Sequence, residues 1–80
     1  MATYNGYKNW NHWNVSLWIN NDENLYELAK NAIHGTRHES HPKDVAARCM
    51  LNYLHARGID KTPDGAPYSY TTIRAAMRGL

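Results

Sequence analysis

Four side chains in the middle of the sequence have the chemistry of zinc ligands. They are separated by three, two and seven intervening residues, and they are His34, His38, His41 and Cys49. Imidazole nitrogens and thiolates are the usual ligands of structural zinc. His34 and His38 flank a glycine in a predicted loop, however, and Cys49 lies on the apolar face of a predicted helix, where cysteine is ordinarily a small buried hydrophobe. We therefore expect no metal ion and no other cofactor.

The same cysteine is a candidate nucleophile, with His55 six residues further along the chain. Residues i and i+6 of a helix lie on different faces, so Cys49 and His55 cannot meet within one helix. The sequence contains no Gly-x-Ser-x-Gly, no His-Glu-x-x-His and no glycine-rich phosphate loop. We expect the protein not to be an enzyme.

The charged residues are divided unevenly along the chain. Residues 1–29 contain one basic and three acidic residues, a net charge of −2, whereas residues 30–80 contain eight basic and four acidic residues, a net charge of +4. The acidic part contains a predicted partner-binding surface, the acidic patch, formed by Asp22, Glu23, Asn24, Tyr26 and Glu27. Asp22 and Glu23 are also explained by the start of a helix, where acidic groups are favourable. Glu27 lies a full turn beyond and extends a negative surface suited to Lys or Arg of a partner.

The basic part offers an alternative surface, one that would bind nucleic acid. Its candidate residues are two arginines near the C-terminus and two neighbouring tyrosines, Arg74, Arg78, Tyr68 and Tyr70. Guanidinium groups contact phosphates, and aromatic rings stack on bases. The basic residues form no compact run, and the predicted linker before the last helix is too long for a helix-turn-helix. Nucleic-acid binding is therefore the second of two interpretations.

Hydrophobic periodicity predicts two helices in the first half of the chain. Asn9 is a predicted N-cap, and the first helix that follows it contains Trp10, Trp13 and Trp18 and is apolar around most of its circumference. A break then precedes a second helix, which is capped by Asp22 and ends at Gly35 in the left-handed conformation.

Two further helices are predicted in the second half. Ser40 is the predicted cap of the third helix, Pro42 lies in its first turn, and Gly58 ends it. Its expected inward face consists of Val45, Ala46, Cys49, Met50, Tyr53 and Leu54. A loop with a turn at residues 63–65 separates it from a short last helix that begins near Thr71.

The predicted fold class is all-α, a compact bundle of about four helices in a single domain over residues 1–80. The alternative concerns residues 1–9, which could instead form a short extended segment or hairpin. No apolar run approaches the roughly 18 residues of a membrane span. The one cysteine cannot form an intramolecular disulfide, and the N-terminus lacks a secretory pattern, so we expect a cytoplasmic protein that does not contact membranes.

The tryptophans have two explanations. Trp10, Trp13 and Trp18 cannot all face one side of a helix, so the first helix needs two apolar neighbours. The main interpretation is that the rings pack in the core of the bundle. The alternative is that one face meets a second copy of the chain in a homodimer.

The segment from Tyr4 to Tyr26, YNGYKNWNHWNVSLWINNDENLY, resembles the opening of a family of small phage and prophage proteins of uncharacterised function. The resemblance lies in Tyr-Asn-Gly, in the spacing Asn-Trp-x-x-Trp-x-Val-x-Leu-Trp-Ile, and in Asn-Asp followed four residues later by Tyr. His12 stands where the family often has Glu, which weakens a capping-box contact to Asn9. The chain from Gly35 onward carries no part of the resemblance.

The resemblance implies a gene carried by a mobile element. Small, cysteine-poor, single-domain proteins from that setting include the anti-CRISPR proteins, and this chain is similar to them in those respects. Such inhibitors are stoichiometric binders that commonly place acidic surfaces in the Lys- and Arg-lined channels meant for nucleic acid. The implied target is a host defence complex, namely a type I CRISPR effector complex. Because the net charge is +2, we expect a local acidic patch and not mimicry of DNA by the whole molecule.

Overall fold

Four helices account for most of the chain in the computed structural model, which describes residues 4–80. They are α1 (Trp10–Asn21), α2 (Glu23–Gly35), α3 (Pro42–Ala56) and α4 (Tyr70–Ala76), and α4 continues into a 3-10 turn at Met77–Gly79. Within residues 4–80 the β contacts are two isolated bridges. The predicted all-α class with four helices is confirmed. The first three residues of the predicted extended segment lie outside the described part of the chain.

The helix starts are set largely by side-chain caps. Asn9 and Asp22 each accept a hydrogen bond from the backbone N–H three residues later, at 3.0 Å, which satisfies one of the amides left unpaired at a helix start. Ser69 caps α4 in a reciprocal capping box. The caps predicted at Asn9 and Asp22 are confirmed. The prediction for α3 is wrong by one residue, because its N-cap is His41 and not Ser40.

Of the two glycines predicted to end helices in the left-handed conformation, Gly58 does so and Gly35 does not. Gly35 remains helical and its φ is not positive, so the prediction of a left-handed residue there is wrong. The end of α2 is closed instead by Thr36, whose hydroxyl lies 2.9 Å from the carbonyl oxygens of Ala32 and Pro42 and so joins α2 to the start of α3. Gly58, directly after the C-cap of α3, has a φ of 74°, as predicted for a glycine that ends a helix.

The N-terminal segment is a tight turn. Tyr4 and Tyr7 exchange two backbone hydrogen bonds of 2.8 Å around Asn5 and Gly6, whose φ values are both positive. An Asn-Gly pair with two positive φ angles is the preferred loop of a two-residue hairpin. The predicted extended segment is therefore reduced to this single bridge in the described residues.

The core lies where the four helices meet. α1 contacts α2 and α4, and α3 contacts the same two helices from the other side. The buried apolar residues are Val15, Ile19, Ala29, Ala46, Ala47, Met50, Leu54, Ala66, Tyr68, Ile73, Ala76 and Met77. α1 thus contributes two aliphatic side chains to the core and no tryptophan.

The expectation that the tryptophan rings form the core is wrong. Trp10 is 38% exposed, and Trp13 and Trp18 are half-buried at the surface of α1. The inner side of α1 instead buries two polar residues, Asn14 and Ser16, beside its aliphatic ones. Both polar side chains are hydrogen-bonded to other segments, which is the condition under which burial of polar groups is tolerated.

The predicted inward face of α3 is rotated relative to the observed one. α3 buries Ala46, Ala47, Met50 and Leu54, and leaves Cys49 and Tyr53 exposed. Small alanine side chains let neighbouring helices approach closely, so this face of α3 suits contact with both α2 and α4. Tyr53 stays outside, with the Arg57 guanidinium 4.3 Å from its ring centre.

Candidate functional site

The acidic patch lies on the first two turns of α2. Glu23, Asn24 and Glu27 are exposed, and Glu23 and Glu27 are one helical turn apart on the same face. Asp22 is half-buried because its carboxylate caps the helix. Tyr26 is also half-buried, and the ammonium group of Lys30 lies 5.3 Å from its ring centre. Three of the five predicted residues are therefore free for a partner, whereas Asp22 and Tyr26 have structural contacts.

A shallow groove borders the acidic patch. It has a volume of about 400 Å³ and runs between the start of α2 and the loop that precedes α4. Asp22 and Asn24 line one side, and Ile59, Lys61 and Pro63 line the other. Ile59 is 40% exposed, so the groove has an apolar margin as well as an acidic one. The charged residues of the lining are one acidic, Asp22, and one basic, Lys61, so the groove suits an apolar side chain better than a cationic one.

The alternative nucleic-acid site is only partly assembled. Tyr68 is buried in the core with 4% of its surface exposed, and burial raises the pKa of its hydroxyl. A ring in that position cannot stack on a base, so the prediction for Tyr68 is wrong. Arg74 forms the one salt bridge found among residues 4–80, in which its Nε donates to Asp44.

The other two members of that site also have contacts within the chain. Tyr70 is half-buried, and the Arg48 guanidinium lies 4.6 Å from its ring centre. Arg78 is exposed, with its guanidinium 5.2 Å from the ring centre of Tyr7. Cation–π contacts of this kind hold arginines against the surface of the protein. Arg78 remains the accessible cation of the set.

The candidate zinc ligands are dispersed. His34 lies in the last turn of α2, His38 in the following turn and His41 at the start of α3, while Cys49 is exposed two turns further along α3. Across residues 4–80, no three His, Cys, Asp or Glu side chains come together in a group that could hold a metal ion. Cys49 and His55 both lie on α3, where their spacing separates them.

A hydrogen-bond network that was not predicted from the sequence joins α1 to the loop before α4. The Asp64 carboxylate accepts hydrogen bonds of 2.9 Å from Asn14 Nδ2 and from Trp18 Nε1. The Oδ1 atom of Asn14 accepts the Thr62 hydroxyl at 2.6 Å, and the Thr62 oxygen accepts the backbone N–H of Ala66 at 3.0 Å. We call these residues the loop network. The hydrogen bonds from Asn14 and Trp18 lower the pKa of Asp64.

One signal in the sequence could have revealed the loop network. Asn14 and Trp18 are hydrogen-bond donors spaced i, i+4, so they lie on the same side of the predicted first helix. The Pro63-Asp64-Gly65 turn was predicted, and Gly65 has the positive φ of 98° that such a turn needs. The partner of the turn was not predictable, because 46 residues separate Asp64 from Trp18.

These features define a small all-α bundle with an exposed acidic patch beside a shallow groove. The chain belongs to a family of unknown function, DUF7249, which matches residues 1–80. Neither the curated proteins nor the solved structures compared with the chain include a match. No helix among residues 4–80 combines the length and the apolar content needed to cross a membrane.

Proposed function

We propose that this protein is a phage or mobile-element inhibitor that binds a host defence complex stoichiometrically, with a type I CRISPR effector complex as its target. The observation that carries the proposal is the exposure of Glu23, Asn24 and Glu27 on one end of α2. The sequence resemblance described above supplies the biological setting. The proposal requires no catalytic residue, because charge complementarity alone can block a binding channel.

The charge distribution supports a local contact. The negative residues of the first 29 positions are concentrated at the start of α2, and the exposed members form no salt bridge within residues 4–80. Unpaired carboxylates remain available to lysines and arginines that normally hold nucleic acid.

A small DNA-binding accessory protein is the second proposal. The exposure of Arg78 favours it, as does the net charge of +4 over residues 30–80. The burial of Tyr68 and the pairing of Arg74 with Asp44 weaken it. Titration of duplex DNA with the protein at increasing salt distinguishes the two functions, since phosphate contacts give a steep salt dependence.

The proposed inhibition is tested with purified type I effector complexes and labelled target DNA. Addition of the protein should prevent the complex from binding its target at a one-to-one ratio. Glu27→Lys should weaken this inhibition by at least about tenfold, because it places a cation against a cationic channel. Glu39→Lys is the matched control, since it makes the same change of charge at an exposed residue outside the patch.

The outcomes separate the possibilities. Equal loss of inhibition by Glu27→Lys and Glu39→Lys would point to net charge and would remove the patch as the contact. Unimpaired target binding in a panel of type I complexes would refute the function itself. Asp22 is kept unchanged in these variants because its carboxylate caps α2, so its loss would confuse binding with stability.

A further inference from the structure

We propose that the outer face of α1 binds the same face of a second copy of this chain. The outer face is the strip of α1 that points away from the core, and it consists of the exposed Trp10, Leu17, Asn20 and Asn21 and the half-buried Trp13. On one flank of the strip, Asn14 is covered by the loop that contains Asp64, and on the other flank Ser16 is covered by Tyr7. This surface shares only Asp22, at its edge, with the acidic patch, and the inference does not depend on the proposed function.

The spacing of the strip is that of a helix-pairing seam. Trp10, Trp13, Leu17 and Asn20 follow one another at intervals of three, four and three residues, which is the a and d pattern of a heptad. Trp10 and Leu17 are 38% and 39% exposed, although both are large apolar side chains. Trp13 is backed by Tyr4, with 4.8 Å between the ring centres, so its ring is held in place before any partner arrives.

The shape of the strip is complementary to itself. Leu17 projects between two shallow hollows of the α1 surface. One hollow, of about 260 Å³, includes Trp13, Ser16, Leu17 and Asn20, which stand at i, i+3, i+4 and i+7 as the four residues of a knob-accepting hole do. The other, of about 400 Å³, lies between Leu17 and the start of α2. Leu17 of each copy can therefore enter a hollow of the other.

The absence of charged residues from α1 favours an occupant that is itself uncharged at the contact, as a second copy of α1 is. The twelve residues of α1 include no Asp, Glu, Lys or Arg, whereas α2, α3 and α4 all carry charged residues. A highly charged partner would lose hydration at this face without gaining an ion pair. A second copy meets no repulsion, and tryptophan-rich patches depleted of charge are typical of interface centres.

The symmetry and size of the contact follow from the strip. An antiparallel two-fold arrangement centred near Leu17 brings the two Leu17 side chains together and places Trp13 of each copy opposite Asn21 of the other, as a closed dimer requires. A helix of twelve residues is about 18 Å long, so the interface is at the small end of specific contacts, where association is weak. We expect a dimer with a micromolar dissociation constant, in exchange with the monomer.

The experiment measures molecular mass by sedimentation and light scattering between about 10 μM and about 1 mM. The mass of the unmodified chain should rise toward twice the monomer mass. Leu17→Glu and Leu17→Lys should each raise the dissociation constant by at least about 30-fold, because each brings two like charges together at the two-fold axis. An equimolar mixture of the two variants should associate again, because the charges at the axis are then opposite.

Tyr53→Glu is the matched control, since Tyr53 is 43% exposed on α3 and should not affect association. Circular dichroism spectra of each variant should match that of the unmodified chain, which checks that the variants are folded. The proposal is overturned if the unmodified chain stays monomeric over the whole range, if the charged variants associate as it does, or if their mixture stays monomeric. It is also overturned if Tyr53→Glu weakens association as much as Leu17→Glu does.

Discussion

The loop network predicts an unusual cost for replacing a single asparagine. Asn14 is 2% exposed, and its amide joins the Thr62 hydroxyl to the Asp64 carboxylate. Asn14→Ala removes both contacts at once. Thr62 is itself 4% exposed, so its hydroxyl would be left in the interior without an acceptor.

The loss of stability in Asn14→Ala has two sources, the unpaired Thr62 hydroxyl and the space left by the amide. A buried hydroxyl that loses its partner costs about 1–3 kcal/mol, and the space left by the amide adds roughly 0.5–1 kcal/mol. The hydrogen bond to Asp64 adds little, because water competes for that exposed carboxylate. We therefore expect Asn14→Ala to lower the free energy of unfolding by about 2–3 kcal/mol, a large share of the stability of a small domain.

Urea unfolding followed by tryptophan fluorescence measures this loss. With a slope of about 1 kcal/mol per molar urea, the midpoint should fall by about 2–3 M. Asn52→Ala is the control, because Asn52 is exposed in the interior of α3 and gains the same helix propensity from alanine. Equal midpoints for Asn14→Ala and Asn52→Ala would refute the reasoning. In a Thr62→Val background the cost of Asn14→Ala should shrink, because the stranded hydroxyl is gone.

Two further predictions concern the same helix and its loop. Because hydrogen bonds from Asn14 and Trp18 lower the pKa of Asp64 below its ordinary value of 3.8, the unfolded chain takes up this proton first as the pH falls. The stability that Asp64 contributes is therefore present above about pH 4 and is lost as the pH falls through the lower pKa of the folded state. In Asp64→Asn this contribution is absent, so the urea midpoints at pH 7 and pH 3 should differ less than they do in the unmodified protein. Ile19→Ala should cost about 2–5 kcal/mol, because Ile19 is fully buried. Trp10→Ala should cost only about 1–2 kcal/mol although it removes a larger side chain, and the reverse order in urea midpoints would place the core elsewhere.

Helix positions were predictable because they depend on local chemistry. The caps at Asn9 and Asp22 act on amides three residues away, and the left-handed Gly58 acts on the helix just before it. Each of these interactions lies within a few residues of sequence, so a pattern can reveal it. Gly35 was mispredicted because Thr36 satisfies the end of α2 through a contact with the next helix.

The buried faces were less predictable, because neighbours decide them. Periodicity placed Cys49 and Tyr53 on the inner face of α3, but both are exposed. The observed face keeps the predicted Ala46, Met50 and Leu54 and adds Ala47. A sequence shows that a helix has an apolar stripe, whereas the close approach of α2 and α4 selects which part of that stripe is covered. Tyr53 was free to remain outside because it carries a hydroxyl and is covered by Arg57.

The candidate site residues show the same difference between features set by local sequence and features set by distant neighbours. The exposed carboxylates of Glu23 and Glu27 were found from the sequence because charged residues at a helix start are almost always at the surface. Tyr68 was misplaced because an aromatic residue beside arginines has the same local pattern whether it stacks on a base or fills a core. Its position was decided by the loop network, which draws the segment from Thr62 to Ala66 onto α1 and brings Tyr68 inward.

The crowding of tryptophans at one end of the chain follows from the two polar residues that α1 buries. Asn14 and Ser16 occupy positions on either side of the aliphatic stripe, and each ties α1 to a segment outside the bundle of helices. The inner face left for apolar packing is therefore narrow, and the rings are displaced to the flanks and outside of the helix. Trp18 on one flank donates its indole N–H to Asp64 of the loop. Trp10 and Trp13 remain on the outside, where only another surface could bury them further.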